Sequence, residues 1–259
     1  MKLKKYWHVW LKASTLSAQS NLSQRGGALM FILGKFIRFG FFLVLLVLIG
    51  ERVDHISGYT LHQMIIFYLF FNLFDIIGQL FFRGIYQFRQ QIISGEFDFR
   101  LVKPMSPLFQ ALTRYTDILD IPLLILILFY LVREAVKQPL INLSMFCILF
   151  VSGFIIITAI HIFVAALGIL TTEVDHTIMI YRDLSSMARF PIDIYALPIR
   201  GLLTFIIPIA IAFTVPAKAF MGLIDIQLLI WSLVLATVFF FLSLRFWRFA
   251  LTKYSSASS

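Results

Sequence analysis

The stretch ISGEFDFRLVKP, from Ile93 to Pro104, places two acids, two bases and a proline between two long apolar runs. Each flanking run approaches the roughly 20 residues that a helix needs to cross about 30 Å of hydrocarbon. The stretch therefore predicts a polar, turned connection between two membrane-spanning helices.

The composition of the whole chain supports a location in the membrane. The 259 residues are 60% hydrophobic and only 14% charged, and the mean hydropathy is +0.92. These values lie outside the range of soluble globular domains and predict an all-α integral membrane protein. The formal net charge is +9, but the bases are scattered between apolar runs. This pattern favours orientation in a membrane over binding to nucleic acid.

Hydropathy divides this single transmembrane domain, residues 1–259, into an amphipathic start and a series of spans. In residues 1–25, Tyr6, Trp7 and Trp10 share one side at helical spacing among lysines, which predicts a helix in the headgroup region. Residues 172–200 are rich in charge, and residues 201–222 are apolar but contain two prolines, so one crossing stays ambiguous. The clear spans are about 27–50, 59–82, 107–132, 143–171 and 225–246.

The bases of the short connections predict the orientation. Most of them precede the first span, lie between the second and third spans, or follow the last span. The clear loops on the opposite side hold only Arg52, Arg133 and Lys137. The positive-inside rule then places both termini and residues 93–104 in the cytoplasm, with six crossings.

The cytoplasmic connection has the features of a docking surface. Good helix formers follow Arg83, and Gly95 supplies a left-handed helix stop. Phe97 and Phe99 flank Asp98, and we expect both rings to be exposed, which would suit a partner protein better than a purely solvated loop.

The same region resembles a known family. The run IISGEFDFRLVKPMSPLFQ is similar to the signature of type-2 ATP-binding-cassette (ABC) exporter permeases, in particular a six-span bacterial branch. FPIDIYALPIRGLLTFIIPIAIAFTVPAKAFMG and the terminal KYSSASS match that branch in the same order. The resemblance implies an N-terminal interfacial helix and a cytoplasmic coupling helix, within residues 83–105, that docks on a separate nucleotide-binding subunit.

The resemblance also bears on the ambiguous stretch. YRDLSSMARFP is similar to the Arg-Asp sequence that opens the fifth span of related permeases. It implies a fifth span at about 181–199 and a re-entrant hairpin on the outer side at 201–222. Glu173, Asp175 and His176 depart from the family's pattern, and hydropathy alone would instead make 201–222 the fifth span.

The function that this resemblance implies is export of a hydrophobic or amphiphilic substrate across a bacterial inner membrane. The sequence contains no G-x-x-x-x-G-K-[ST] loop, so ATP and Mg²⁺ would be bound by a partner ATPase dimer. We expect no catalytic, metal or cofactor site of its own, and pairing with a second permease copy or a sister permease. The expected ATPase-coupling residues are Gln87, Gln90, Gly95, Glu96, Phe97, Asp98, Phe99 and Arg100.

An intramembrane enzyme is the alternative function. Its candidate catalytic groups would be Glu173, Asp175, His176 and Asp193, which lie in the charged stretch before the last span.

Several charges fall within apolar runs, where an unpaired charge is costly, so we expect pairing inside the bundle. The depth of each charge below the cytoplasmic end of its span follows from its position, at about 1.5 Å per helical residue. Charges of opposite sign at similar depth are then Lys35 with Asp75, and Arg38 with Asp117 or Asp120. Snorkelling of Lys35 to the interface is the simpler alternative. The intramembrane charges are Lys35, Arg38, Asp75, Asp117, Asp120, Arg189 and Asp193.

Overall fold

The structure is a computed structural model that describes residues 2–23, 25–171 and 174–255. Within these ranges the chain forms no β-strand and 84% of the chain is helical. Four of the described helices are long and apolar enough to cross a membrane, and six spans result if each of two bent helix pairs is counted as one. These features confirm the prediction of an all-α integral membrane protein.

The first helix, α1 (Lys2–Ser23), packs against the elements that follow it. The Trp10 ring stacks on Phe81 with 5.1 Å between centroids, and Tyr6 meets Phe109 edge-on at 4.8 Å. The Ser14 and Thr116 hydroxyls are hydrogen-bonded at 2.8 Å. The aromatic side of α1 therefore rests on the bundle.

Two long helices follow. The helix α2 (Arg25–Gly50) buries only Ala28, Phe39 and Leu46, so most of its surface is left uncovered by the rest of the chain. The helix α3 (Leu61–Phe82) is by contrast largely buried. It begins at Thr60, whose hydroxyl accepts from the Gln63 amide while the Gln63 side chain accepts from the Thr60 amide.

The connection after α3 contains several short elements. A 3₁₀ turn (Arg83–Gln87) leads into α4 (Phe88–Ile93), and α5 (Glu96–Leu101) and α6 (Pro107–Thr113) follow.

The predicted span at 107–132 is two helices, not one. After α6 the chain leaves helical geometry, passes a 3₁₀ turn (Ile118–Asp120) and enters α7 (Ile121–Ala135) at an angle of 47°. Pro122 explains the new start, because proline fits the first turn of a helix but clashes with the preceding turn if the helix continues through it.

The centre of the bundle is α8 (Leu140–Thr171), which packs along α12 (Ile226–Thr252). Phe163 contacts Phe239 and Phe246 at centroid distances of 5.4 and 5.6 Å. Gly153 lets the segment after residue 209 approach α8, since a Cβ there would lie 2.6 Å from the Ala212 carbonyl oxygen.

The segment predicted as the fifth span, at about 181–199, is not one continuous helix. The helix α9 runs from Val174 to Ser186, a 3₁₀ turn covers Met187–Arg189, and Phe190 is extended. Pro191 accounts for the break, because the residue before a proline is driven out of the helical region.

A bent segment follows in the region of the predicted hairpin. It contains α10 (Leu197–Gly201), two π-helical stretches (Leu202–Ile206 and Ala210–Thr214) and α11 (Val215–Phe220). Its two limbs meet at 80°. The second limb is buried, with Phe213 against Phe74 at 5.8 Å and Phe220 against Phe70 at 5.1 Å.

Ion pairs show where the ends of these segments lie. Asp175, at the start of α9, is 3.3 Å from Arg89 of α4. Asp193 contacts Arg200 at 2.9 Å and Lys218 at 2.6 Å, and it accepts a 2.8 Å hydrogen bond from Tyr59, just before α3. Residues 175–193 thus run from the α4 end of the bundle to the opposite end, and both limbs of the bent segment reach that opposite end.

We expect Gly84→Ala to lower the free energy of unfolding by about 1–3 kcal/mol, because the added methyl group overpacks a tight contact. A Cβ at Gly84 would lie 2.5 Å from the Ala111 carbonyl oxygen and 2.7 Å from that of Leu112. Gly34→Ala is the matched control, since nothing lies within 4 Å of that Cβ. Thermal unfolding in detergent measures both, and equal melting temperatures would contradict the close contact.

Candidate functional site: the α4–α5 platform and the buried charges

The polar stretch that separates the second and third predicted spans folds into a compact unit, here called the platform (α4 and α5, residues 88–101). Gly95 joins the two helices with φ at 70°. This left-handed conformation matches the predicted helix stop and requires glycine for a turn free of strain.

Phe97 is fully buried, so the prediction that it is exposed is wrong. Its ring lies edge-on to Phe88 and Tyr254, with centroid distances of 5.1 and 5.2 Å. Phe99 is 70% exposed, as predicted. Two residues apart on a helix, side chains point about 200° away from each other, so one ring enters the core and the other leaves it.

Arg100 is also buried, and it holds the platform to α6. Its guanidinium donates to the Gln110 carbonyl oxygen at 3.4 Å and to Glu96 at 3.2 Å. Arg114 reaches the same Glu96 carboxylate at 2.6 Å. Burial opposes ionisation of Glu96, but the hydrogen bond and charge of Arg100, together with Arg114, outweigh it and lower the Glu96 pKa.

A hydrogen bond fastens the platform to the residues after α12. The Tyr254 hydroxyl donates to Asp98 at 2.7 Å. Burial and the Asp98 carboxylate raise the pKa of Tyr254 to about 12, so the phenol stays protonated and keeps donating at neutral pH. Asp98 and Tyr254 therefore lock the platform to the end of α12.

Several side chains in and beside the platform are exposed. Gln90 and Phe99 belong to the platform, Gln87 immediately precedes it, and Val102, just after α5, is 81% exposed. Of the eight predicted coupling residues, the structure leaves these two glutamines and Phe99 accessible and uses Phe97 and Arg100 for packing.

The predicted pairing of the intramembrane charges is wrong. Lys35 pairs with Asp117, at 3.2 Å, and with Asp120, not with Asp75. Both aspartates are buried in the break between α6 and α7. Depth counted along one straight helix fails here because the two parts meet at 47°.

Arg38 does not contact Asp117 or Asp120 within ion-pair distance; it lines a cavity of about 510 Å³ with Asp75, Arg182 and Arg189. Among the described residues, none of these four side chains has an oppositely charged group within 4.0 Å.

Asp193 belongs to a separate cluster at the end of the bundle opposite the platform. Tyr59, Arg200 and Lys218 surround it, and the sequence analysis assigned none of them to the site. Lys218 could have indicated this cluster, because it is a charged residue in an apolar stretch and such a residue usually has a partner of opposite charge.

Of the candidate groups of the enzyme alternative, Asp175 and Asp193 lie far apart. Glu173 lies outside the described residues, as do Ser256–Ser259 of the terminal match. Asp175 pairs with Arg89 at the platform, whereas Asp193 lies at the other end of the bundle. No group of three potential metal ligands occurs in the part of the chain that the structure describes.

The fold and the site define a multi-pass helical membrane protein, and its sequence lacks a Walker A loop. Comparison with protein families matches residues 36–258 to the model described as "ABC-2 family transporter protein". The chain therefore belongs to the ABC-2 transporter family and is a membrane subunit of an ABC transporter, with the ABC ATPase partner that the family implies. Searches of curated proteins and of solved structures found no match.

We expect Lys35→Met to destabilise the protein by about 3 kcal/mol, because it leaves two buried carboxylates without their counter-charge. Adding Asp120→Asn should recover part of that loss, whereas adding Asp75→Asn should not. Unfolding in mixed detergent micelles measures the three variants. Recovery by Asp75→Asn alone would contradict the observed pairing.

Proposed function

We propose that this chain is the permease subunit of an ABC exporter and that the platform is where its ATPase binds. The observation that carries the proposal is an aromatic side chain exposed on a platform that is joined to α6 and to the end of α12. Phe99 is 70% exposed although its neighbour Phe97 is fully buried. Large apolar side chains on such a face are typical of protein interfaces, where aromatic residues often dominate the binding energy.

The platform is built to pass a displacement on to the spans. Phe97 and Tyr254 connect it to the end of α12, Arg100 connects it to α6, and Arg89 connects it to α9. When two ATPase subunits close on ATP, a push on Phe99 would therefore move three elements together. Rigid-body movement of this kind is a common route from a binding event to a conformational change.

For the topology we propose six crossings, in which residues 174–194 replace the bent pair of residues 197–220 as the fifth. The ion pairs of Asp175 with Arg89 and of Asp193 with Lys218 support this proposal, because they lie at opposite ends of the bundle. Leu197–Phe220 then enters and leaves on the outer side as a re-entrant segment. The basic connections favour cytoplasmic termini. The resemblance to the bacterial branch supports a location in a bacterial inner membrane.

We also propose that a second permease, identical or homologous, covers α2. Only three of its 26 residues are buried by this chain. A largely apolar helix that is uncovered within its own chain can face either lipid or another span.

We expect Phe99→Ala to uncouple ATP hydrolysis from transport while the protein still folds. Truncation of an aromatic hot spot costs about 2 kcal/mol of binding or more, which corresponds to a roughly 30-fold weaker ATPase interaction. The measurement is ATPase co-purification, followed by substrate-stimulated hydrolysis. Phe241→Ala is the matched control, because Phe241 is similarly exposed, at 64%, but lies on α12 away from the platform.

Phe97→Ala separates docking from folding. It removes a fully buried ring and should cost about 3–5 kcal/mol of stability. If Phe99→Ala behaves like Phe97→Ala in thermal unfolding, or binds ATPase like Phe241→Ala, the docking assignment is wrong.

Cysteine labelling tests the topology. In a Cys147→Ser background, cysteines at Leu197 and Leu223 should both react with an impermeant thiol reagent added from outside, and one at Ser94 should not. Leu197 and Leu223 flank the bent segment and are 81% and 41% exposed. Labelling at only one of the two leucine positions would show that the segment crosses the membrane.

A further inference from the structure

The cavity between α2, α3 and α9 has an unusual combination of lining groups. Its volume is about 510 Å³, within the range of small-molecule sites. Phe41, Phe42, Leu45 and Phe71 give it apolar walls. Phe41 is 74% exposed, so the cavity opens at the surface of the chain.

The charges in this cavity do not balance. Arg38, Arg182 and Arg189 bring three positive charges, and Asp75 brings one negative charge. Within the described residues none of the arginines has an acid within 4.0 Å. Uncompensated charge in a membrane domain is costly, so an excess of two positive charges indicates an anionic occupant.

Aromatic rings position two of the guanidinium groups. Arg189 lies 5.8 Å from the Phe42 ring and 5.7 Å from the Phe71 ring. Arg182 lies 5.9 Å from the Tyr86 ring. The N–H donors of a guanidinium lie in the plane of the group. A ring that packs against its face therefore orients the group and leaves these donors available to bind the oxygen atoms of a phosphate or carboxylate in pairs.

The two properties together select a ligand class. A purely apolar cargo would leave the arginines without counter-charge, and a small inorganic anion would leave the phenylalanine walls in contact with water. An amphiphile satisfies both, with its anionic headgroup at the arginines and its chain along Phe41, Phe42 and Leu45.

We propose that this cavity binds an amphiphile that carries a phosphate or carboxylate headgroup. The inference rests on the proposed function, since it names the substrate class of the exporter. Asp75 has a distinct part in it: its carboxylate offsets one arginine and limits the affinity for the anion, which favours release.

The direct test is binding of dodecyl phosphate to the full-length chain, with any subunits that co-purify, in phosphatidylcholine nanodiscs. Dodecyltrimethylammonium has the same chain with the opposite charge, and inorganic phosphate has the headgroup without the chain. We expect dodecyl phosphate to bind at least about tenfold more tightly than either, which is about 1.4 kcal/mol.

Variants of the cavity give effects of opposite sign. Arg38→Gln and Arg189→Gln should each weaken binding about tenfold, as expected for loss of a charge-assisted contact. Asp75→Asn should tighten it about threefold or more, because a repelling charge is removed. Arg245→Gln, an exposed base on α12 outside the cavity, is the control and should change nothing.

Tighter binding by Asp75→Asn cannot result from misfolding, which would weaken all variants alike. Equal binding of the cationic amphiphile, equal effects of Arg38→Gln and Arg245→Gln, or weaker binding by Asp75→Asn would each overturn the inference. Failure of the proposed function is a different result, namely that no ATPase co-purifies, and the binding assay does not depend on it.

A last arm identifies the source of the headgroup. If phosphatidylglycerol in the nanodisc competes with dodecyl phosphate, bilayer lipids reach the anionic site. If it does not, the site selects single-chain solutes. Both results support an anionic amphiphile site, and they separate a lipid from a soluble cargo.

Discussion

The absence of hydrogen-bonding partners in hydrocarbon is the constraint on which the rest of this structure depends. Inside a membrane, a helix can break and a charge can persist only where other parts of the protein supply partners. The break between α6 and α7 meets this condition. Asp117 and Asp120 bind Lys35 of α2, and the Thr116 amide donates to the Ser17 hydroxyl of α1 at 3.4 Å. The helices α1 and α2 are therefore held at this break.

The break after α9 follows the same rule at the other end of the bundle. Extended residues around Pro191 carry Asp193 to Tyr59, Arg200 and Lys218. The platform adds a third polar site, in which Arg100 donates hydrogen bonds to the Gln110 carbonyl oxygen and the Glu96 carboxylate. Between these sites the spans are joined mainly by aromatic and aliphatic packing, which can shift without leaving polar groups unpaired. This arrangement would let the three polar sites keep their internal contacts while the spans between them shift relative to one another.

The sequence predicted those features that depend on composition or on single residues. Long apolar runs gave the class of fold, Gly95 gave the turn of the platform, and exposure of Phe99 followed from its place in a polar stretch. Burial of Phe97 and Arg100 could not be predicted, because it depends on Tyr254 and Gln110, which are distant in sequence. The charge pairs failed for a related reason: Asp117 and Asp120 lie in the break between α6 and α7, so their depth and direction do not follow from their position along one straight helix.

The central claim, that the platform binds the ATPase, is tested most directly by a photo-crosslinking amino acid at Phe99. Val136, which is 85% exposed at the far end of α7, is the matched position. The account predicts a crosslink from position 99 to a protein whose peptides include a Walker A sequence, and none from position 136. A crosslink of equal yield from both positions, or none from position 99 in a complex that hydrolyses ATP, would contradict it.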